Sequence, residues 1–328
     1  MTPISAPNFI TKRVSVIIPA FNAAPTIKAA IYSALHQRGV SVDVIVVDDA
    51  STDETAEIVT ACAQLTERVS LVRFSENNGP AAARNEGLRS ATGEWIAILD
   101  ADDEFCDGRL ERLVALGNCE QADFVADNIF LVDEKSRRPP DPMIPVGEAN
   151  SRVIRLTPAS FVINNISRLN SRGSFGFLKP IMRRSYIEEQ NLSYDQQLRF
   201  AEDYDLYLRA LLVGARFIID LQPGYRYRVS SGSLVASNPR RNFVAAAEID
   251  TRFKREAWEK RDAALVDALR QKIASDARRA AVVQIVAALH AKRILPVLAL
   301  LASHPSVIAP VGRRIAQSVL RHGATWLR

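Results

Sequence analysis

Chemistry in the first 289 residues of this 328-residue chain must rest mainly on carboxylates. The chain has four histidines, three of them beyond residue 289. Its three cysteines, Cys62, Cys106 and Cys119, lack zinc-site spacing and are too few for a disulfide framework. The acidic residues that stand out follow apolar runs. Val42–Val47 ends in Asp48-Asp49, and Trp95–Leu99 ends in Asp100-Ala101-Asp102-Asp103; Val14–Ala20 is followed by Phe21-Asn22. In an open α/β sheet, ligands sit beyond the carboxyl ends of the strands. Carboxylates gathered at one such rim repel one another unless a cation lies among them. Donors that are all oxygen suit Mg²⁺ or Mn²⁺ rather than zinc. Such a cation takes only one or two protein carboxylates when phosphate and water complete its shell, which points to a nucleoside diphosphate. Taken alone, Asp100–Asp103 reads equally well as a solvated turn with a helix cap.

Positioning these residues requires alternating strands and helices. Strands are expected at Val14–Ala20, Val42–Val47, Val69–Phe74, Trp95–Leu99 and near Phe124–Val132. Helices are expected over Pro25–His36, with Ile27, Ile31, Ala34 and Leu35 on one face, and over Glu54–Leu65, capped by Ser51 or Thr52. Further helices are expected over Ala81–Ser90, begun by Pro80, and near Arg109–Leu116. Strands spaced by helices of 10–15 residues predict a mostly parallel sheet with right-handed crossovers. Residues 133–150 read as a loop, 151–236 mix helices with short strands, and the chain from about 240 onward is helical.

Hydrophobic residues make up 48% and charged residues 24%, a soluble globular mix. The cysteine usage fits a reducing, cytoplasmic setting. The net charge of +5 is unevenly spread: residues 240–328 carry 17 Lys/Arg against 7 Asp/Glu, and no acidic residue follows Asp276. The pairs Arg278-Arg279, Lys292-Arg293 and Arg313-Arg314 flank apolar stretches. Basic residues near an anionic leaflet contribute about 1 kcal/mol each, so peripheral attachment to the inner face of the plasma membrane is expected, rather than nucleic-acid binding. The alternatives are helices packed on the preceding domain or a dimer contact. Ile294–Val311 is the nearest approach to a membrane span, but Pro296, Pro305 and Pro310 interrupt it. No G-x-G-x-x-G follows the first strand, and G-x-x-x-x-G-K-[ST], G-x-S-x-G and H-E-x-x-H are absent.

Five ordered segments carry a resemblance. Val14–Asn22, Val46–Thr55, Asn78–Asn85, Gly93–Asp103 and Ala201–Arg209 closely resemble the inverting family 2 glycosyltransferases of GT-A fold, bacterial exopolysaccharide-building enzymes among them. The resemblance covers roughly residues 12–236. It implies an α/β GT-A fold, with a mostly parallel nucleotide-binding sheet flanked by helices. The implied catalytic domain is 1–236, with a nucleotide-sugar half at 12–132 and an acceptor and base half at 151–236. A basic helical extension, 237–328, follows.

The resemblance also assigns roles. Pro19, Phe21 and Asn22 match the motif bordering the nucleoside, Asp49 the base contact with Asp48 beside it, and Arg84 the donor-pocket motif. Asp100, Ala101 and Asp102 match the D-x-D segment, with Asp102 and Asp100 the expected residues for Mn²⁺ or Mg²⁺, Asp102 preferred as the direct ligand, Asp100 nearer the ribose and Asp103 behind them. Asp203 matches the catalytic base, with Glu202 as its neighbour. Many relatives carry a histidine in the loop that follows, where this chain has Tyr225-Arg226-Tyr227-Arg228-Val229-Ser230-Ser231-Gly232-Ser233. Arg226 or Arg228 is the expected diphosphate contact instead. The implied partners are a nucleotide-sugar donor, UDP-sugar first, and a glycan or lipid-linked acceptor. Rival readings are a glycoside hydrolase, a nucleotidyltransferase and a non-catalytic sugar-nucleotide or glycan-binding protein.

Overall fold

The computed structural model describes residues 12–133, 140–144, 153–166, 174–198, 200–229 and 239–291, with Val297 and Ala302. The pairs Lys292-Arg293 and Arg313-Arg314, Ser230–Ser233, most of 294–311 and much of the 133–150 loop lie outside the described residues. The chain divides into two compact units. One comprises Met1–Phe161 with Leu169–Ser230, the other Val162–Arg168 with Ser231–Arg328.

In the first unit, β1 (Arg13–Ala20), β2 (Ser41–Asp48), β3 (Val69–Arg73) and β4 (Trp95–Ile98) run parallel in the order β3-β2-β1-β4. Val14, Val16, Ile17, Ile18, Val44, Val46 and Val47 are fully buried, the near-continuous apolar run of a parallel sheet. The crossovers are α1 (Ile27–Leu35), α2 (Thr55–Leu65) and α3 (Pro80–Ser90). α1 buries Ile27, Ala30, Ile31 and Ala34, the i, i+3, i+4, i+7 stripe of a core-facing helix. Ala20 lies opposite Asp48, Asp49 N donates to Ala20 O, and Leu99 N donates to Ile17 O. The carboxyl ends of β1, β2 and β4 therefore open on one edge. Gly93 turns the chain into β4: a Cβ there would meet Ser15 N at 2.6 Å, while its own N–H donates to Ser15 Oγ.

The sheet continues through β5 (Glu104–Phe105), α4 (Arg109–Cys119), β6 (Phe124–Val132), β7 (Asp141–Pro142), β8 (Val153–Arg155) and α5 (Pro158–Asn164). A 3₁₀ turn at Phe175–Phe177 precedes β9 (Ile181–Arg183), α6 (Arg184–Glu189), α7 (Glu202–Leu212) and β10 (Phe217–Arg228). The order is β3-β2-β1-β4-β9-β6-β10-β5, with β7 beside β6 and β8 beside β10. β10 and β6 are parallel, whereas β9 is antiparallel to both β4 and β6. The sheet is thus mostly parallel at its centre, with β9 as an inserted reversal. Behind it, Phe124, Phe161, Tyr204, Tyr207 and Phe217 stack into one aromatic cluster.

The second unit holds α8 (Pro239–Glu259) and α9 (Ala263–His290). Asp262 caps α9 by accepting from Leu265 N at 3.0 Å. Between these helices, buried Lys272 pairs with Asp250 at 2.8 Å and Asp276 at 2.9 Å. Arg278 and Arg279 lie on α9. Among the described residues no helix is long and apolar enough to cross a membrane. The three cysteines are free.

Candidate active site

The rim beyond β1 and β2 is built from two left-handed, non-glycine residues, Asn22 (φ +50°) and Ala50 (φ +60°). Such residues cost on the order of 1–3 kcal/mol and persist where surrounding bonds over-determine them. Here Asn22 N donates to Ser51 Oγ at 2.9 Å, Thr52 N donates to Asn22 Oδ1 at 2.9 Å, and Ala23 N donates to Thr55 Oγ1 at 2.8 Å. Ser51 and Thr52 are thus spent on Asn22. α2 starts later than the expected cap, at Thr55, and Asp53 Oδ1 accepts from Thr55 N. Asp48 Oδ1 accepts from Ser51 N, and its Oδ2 pairs with Arg73 Nε at 3.1 Å. Asp49 accepts from Asn78 N (2.7 Å) and Gly79 N (2.8 Å), fixing the loop that leads into α3. Gly79 sits at φ +87°, and Pro80 opens the helix behind it. A cleft of about 470 Å³ at this rim is lined by Ala50, Ser51, Arg73, Phe74 and Ser75. Pro19 is half-buried; Phe21, an aromatic ring, is 51% exposed.

Four charged side chains from four stretches of sequence, Arg84, Asp100, Lys179 and Asp203, meet in an alternating ring, and Glu202 joins it through Arg84. Arg84 on α3 donates from Nη2 to Asp100 Oδ1 at 3.0 Å and from Nη1 to Glu202 Oε1 at 2.6 Å. Its Nη1 also lies 3.7 Å from Asp203 Oδ1. Lys179 Nζ lies 3.0 Å from Asp100 Oδ2 and donates to Asp203 Oδ2 at 2.8 Å. Arg84, Lys179 and Asp203 are buried. Burial alone would raise the Asp100 pKa, but Lys179 and Arg84 outweigh it and hold the carboxyl well below its usual range. Burial alone would lower the Lys179 pKa, yet Asp100 and Asp203 hold it above the ordinary lysine value. Glu202 and Asp203 open α7, where the helix dipole favours negative charge. The residue before them, Ala201, is left-handed at φ +63°. Asp203 Oδ1 is buried and accepts no hydrogen bond.

Asp102 and Asp103 lie beside this ring. Asp102 is exposed; partial desolvation and the negative Asp100 raise its pKa. Asp103 is buried, accepting from Tyr225 Oη at 2.7 Å and from Arg228 N at 2.8 Å. Burial, then Asp100 and Asp102, push its pKa up to about 8. Tyr225 Oη accepts in turn from Asp100 N, so one phenol staples both ends of the Asp100–Asp103 turn. Arg228 Nε donates to Asp102 O, on the same turn, while exposed Arg226 acts electrostatically on Cys106. Of the two arginines, Arg228 is the one the fold brings to the D-x-D segment.

Lys179, Tyr194 and Arg109 carry no motif, and sequence reasoning missed them; Tyr225 lies in the segment singled out for Arg226 and Arg228, but its own role was not foreseen. Arg109 and Asp127 are fully buried and paired at 2.8 Å, and Arg112 adds a second bond to Asp127. Arg109 Nη2 also donates to Lys179 O at 2.5 Å, and its guanidinium lies over the Phe105 and Tyr225 rings. Tyr194 lies under the Arg84 guanidinium at 5.4 Å, and its backbone exchanges two 2.8 Å hydrogen bonds with the Asn85 side chain. The signal available in the sequence was a charge deficit: several acids placed together demand buried cations.

Among the described residues no three acidic, imidazole or thiol side chains group as a metal cage. The donor set nonetheless fits a hard divalent cation whose shell is completed by phosphate and water. Asp102 is an exposed carboxylate whose pKa is raised first by partial desolvation and then by Asp100, both of which a bound cation would offset. Asp100 is already neutralised by Arg84 and Lys179, so it suits an outer role better than a direct one.

Residues 15–188 match glycosyl transferase family 2. Over 233 residues the chain is 43% identical to the succinoglycan biosynthesis protein ExoU of Rhizobium meliloti, covering 69% of this chain and 64% of ExoU. It is 39% identical over 223 residues to ExoO of the same organism, covering 67% and 62%. It is also 28% identical over 225 residues to the amylovoran biosynthesis glycosyltransferase AmsB of Erwinia amylovora, covering 66% and 69%. The match thus spans less than two thirds of ExoU and of ExoO. A crystal structure of S. aureus TarS 1-349 in complex with UDP-GlcNAc shares the fold, with TM-score 0.60 at 19% identity over 90% of this chain and 92% of that one.

Proposed function

The chain belongs to glycosyl transferase family 2, and from that premise we propose an inverting, metal-dependent hexosyltransferase. It moves a sugar from a nucleotide-sugar of the UDP class to a glycan or lipid-linked acceptor, in exopolysaccharide or other cell-surface polysaccharide synthesis. The observation that carries this reading is the contact of one ammonium, Lys179, with both Asp100 and Asp203, which unites the D-x-D turn and the α7 acid in one site. Relatives named for succinoglycan and amylovoran biosynthesis support the polysaccharide class, and the UDP-GlcNAc held by TarS supports the donor class.

The acceptor hydroxyl attacks the anomeric carbon from the face opposite the nucleotide. The new C–O bond forms as the bond to the diphosphate breaks, and Asp203 takes the hydroxyl proton. Its Oδ1, which accepts no hydrogen bond from the chain, is the oxygen left to take that proton once an acceptor reaches it. A positioned base contributes roughly 10²–10⁴-fold, or about 3–5 kcal/mol. One displacement inverts the centre, so an α-linked donor gives a β-linked product. Asp102, with Asp100 behind it, would hold Mg²⁺ or Mn²⁺, which when bound supplies positive charge to the departing diphosphate. Arg84 and Arg228 add fixed cations beside the same turn. Pro19, Phe21, Asn22, Asp48, Asp49 and Ala101 border the nucleoside, with Asp48 and Asp49 acting through the loops they hold. The basic residues beyond Asp276 attach the protein to an anionic membrane surface, where a lipid-linked acceptor resides; retention on anionic liposomes at low salt tests this part.

The test is a screen of UDP-, GDP- and dTDP-sugars for transfer or hydrolysis, with Mn²⁺ or EDTA. The expected result is turnover of a UDP-sugar that EDTA stops and Asp203→Asn lowers by roughly 10²–10⁴-fold. Activity unaffected by Asp203→Asn refutes the role of the base.

A further inference from the structure

We propose that Lys179 is a positioning residue for the transfer step, clamping Asp203 Oδ2 so that Oδ1 alone is left to take the acceptor proton. A carboxylate has two equivalent oxygens and can rotate to offer either to a neighbouring cation. As a base it must hold one oxygen within hydrogen-bond reach of the proton it takes. The ring distinguishes the two oxygens. Lys179 Nζ donates to Oδ2 at 2.8 Å, whereas Oδ1 is 3.7 Å from Arg84 Nη1 and accepts no hydrogen bond. Arg84 Nη1 approaches Oδ1 only to ion-pair distance, its hydrogen bonds going to Glu202 and Asp100.

The lysine is itself held in place. Its own carbonyl accepts from buried Arg109, and the carbonyl of the preceding Leu178 accepts from Tyr207 Oη at 3.2 Å. Arg109 is locked by Asp127, so the support reaches from β6 to the ammonium. Its second contact, Asp100 Oδ2 at 3.0 Å, stops the ammonium from following Asp203 if that side chain turns.

The inference rests on the proposed transferase reaction and is tested on the full chain with its nucleotide-sugar and acceptor. Lys179→Met is expected to lower kcat about 100-fold at saturating substrates, with UDP affinity by calorimetry changed less than about fivefold. Lys179→Ala should regain kcat saturably with added propylammonium and not with propanol, its urea stability staying unchanged over the same titration. Lys179→Arg should retain part of kcat, because it restores the cation. Should Lys179→Met fold poorly, the amine titration of Lys179→Ala and the Arg variant decide the matter. A Lys179→Met kcat within threefold of wild type, or a loss confined to the donor KM, overturns the proposal while leaving the transferase reading intact. A wild-type chain inactive on every nucleotide-sugar overturns both.

Discussion

Replacing Arg84 by methionine probes the site and the fold together. The side chain is 6% exposed, so water cannot take over its role. It loses two charge-assisted hydrogen bonds, to Glu202 at 2.6 Å and Asp100 at 3.0 Å. Bonds to charged groups contribute about 1.5–3 kcal/mol each. Seen from the partners, Asp100 and Asp203 are left to Lys179 and Glu202 loses its Arg84 ion pair, and stripping one member from a buried ionic group costs about 3–5 kcal/mol. The first route gives about 3–6 kcal/mol and the second about 3–5, against a typical total of about 5–15. The assay is urea denaturation followed by fluorescence of Trp95, which is fully buried in β4. Arg84→Lys keeps the charge but cannot span Glu202 and Asp100 with a planar fork, so it should lose about half as much. A loss under about 1 kcal/mol for Arg84→Met would mean that the ring does not hold these acids together in solution, and the argument for a shared site would fall with it.

Arg109→Leu strips Asp127 of its main partner and should cost about 3–5 kcal/mol by the same assay; Asp127→Leu added to it should recover part of the loss. Lys272→Met leaves buried Asp250 and Asp276 without their shared ammonium and should destabilise the helical unit by about 3–5 kcal/mol at pH 7. Burial would lower the Lys272 pKa, but Asp250 and Asp276 hold it above the ordinary 10.5. Its stabilisation is therefore complete below that pH and drains as pH climbs through the folded value, so wild-type and variant helical melting points should converge in alkali. Asp102→Asn should raise the Mn²⁺ concentration for half-maximal transfer about tenfold or more.

The parallel half of the sheet was legible because its strands are buried on both sides. Val14–Ala20 and Val42–Val47 read as apolar runs rich in β-branched residues, and the stripe of α1 matches a helix that must cover them. The rim acids were legible for the same reason, since they stand where such runs stop. β9 was not. It has three residues, and its pairing with Trp95–Ala97 and Phe124–Val125 is a long-range choice that no local period encodes. Ser51 and Thr52 look like helix caps locally, but the left-handed Asn22 draws them away. Local hydrogen-bonding preference yielded to the geometry of the rim.

Lys179 illustrates the harder limit. It lies between a 3₁₀ turn and a three-residue strand, with no periodic pattern about it, and its partners come from two other stretches of chain. Electrostatics still constrains it. Asp100, Glu202 and Asp203 share one pocket of charge, and Arg84 alone cannot neutralise three carboxylates. Unpaired buried charge costs several kcal/mol, so a second cation was required once the motif residues were placed together. Which cation was open, since 25 Lys/Arg occur in residues 1–239. The choice is made by Arg109 and Tyr207, whose grip on the Lys179 and Leu178 carbonyls brings the ammonium to the acids. The demand for a second cation is therefore a property of composition at the site, and its identity a property of backbone anchoring.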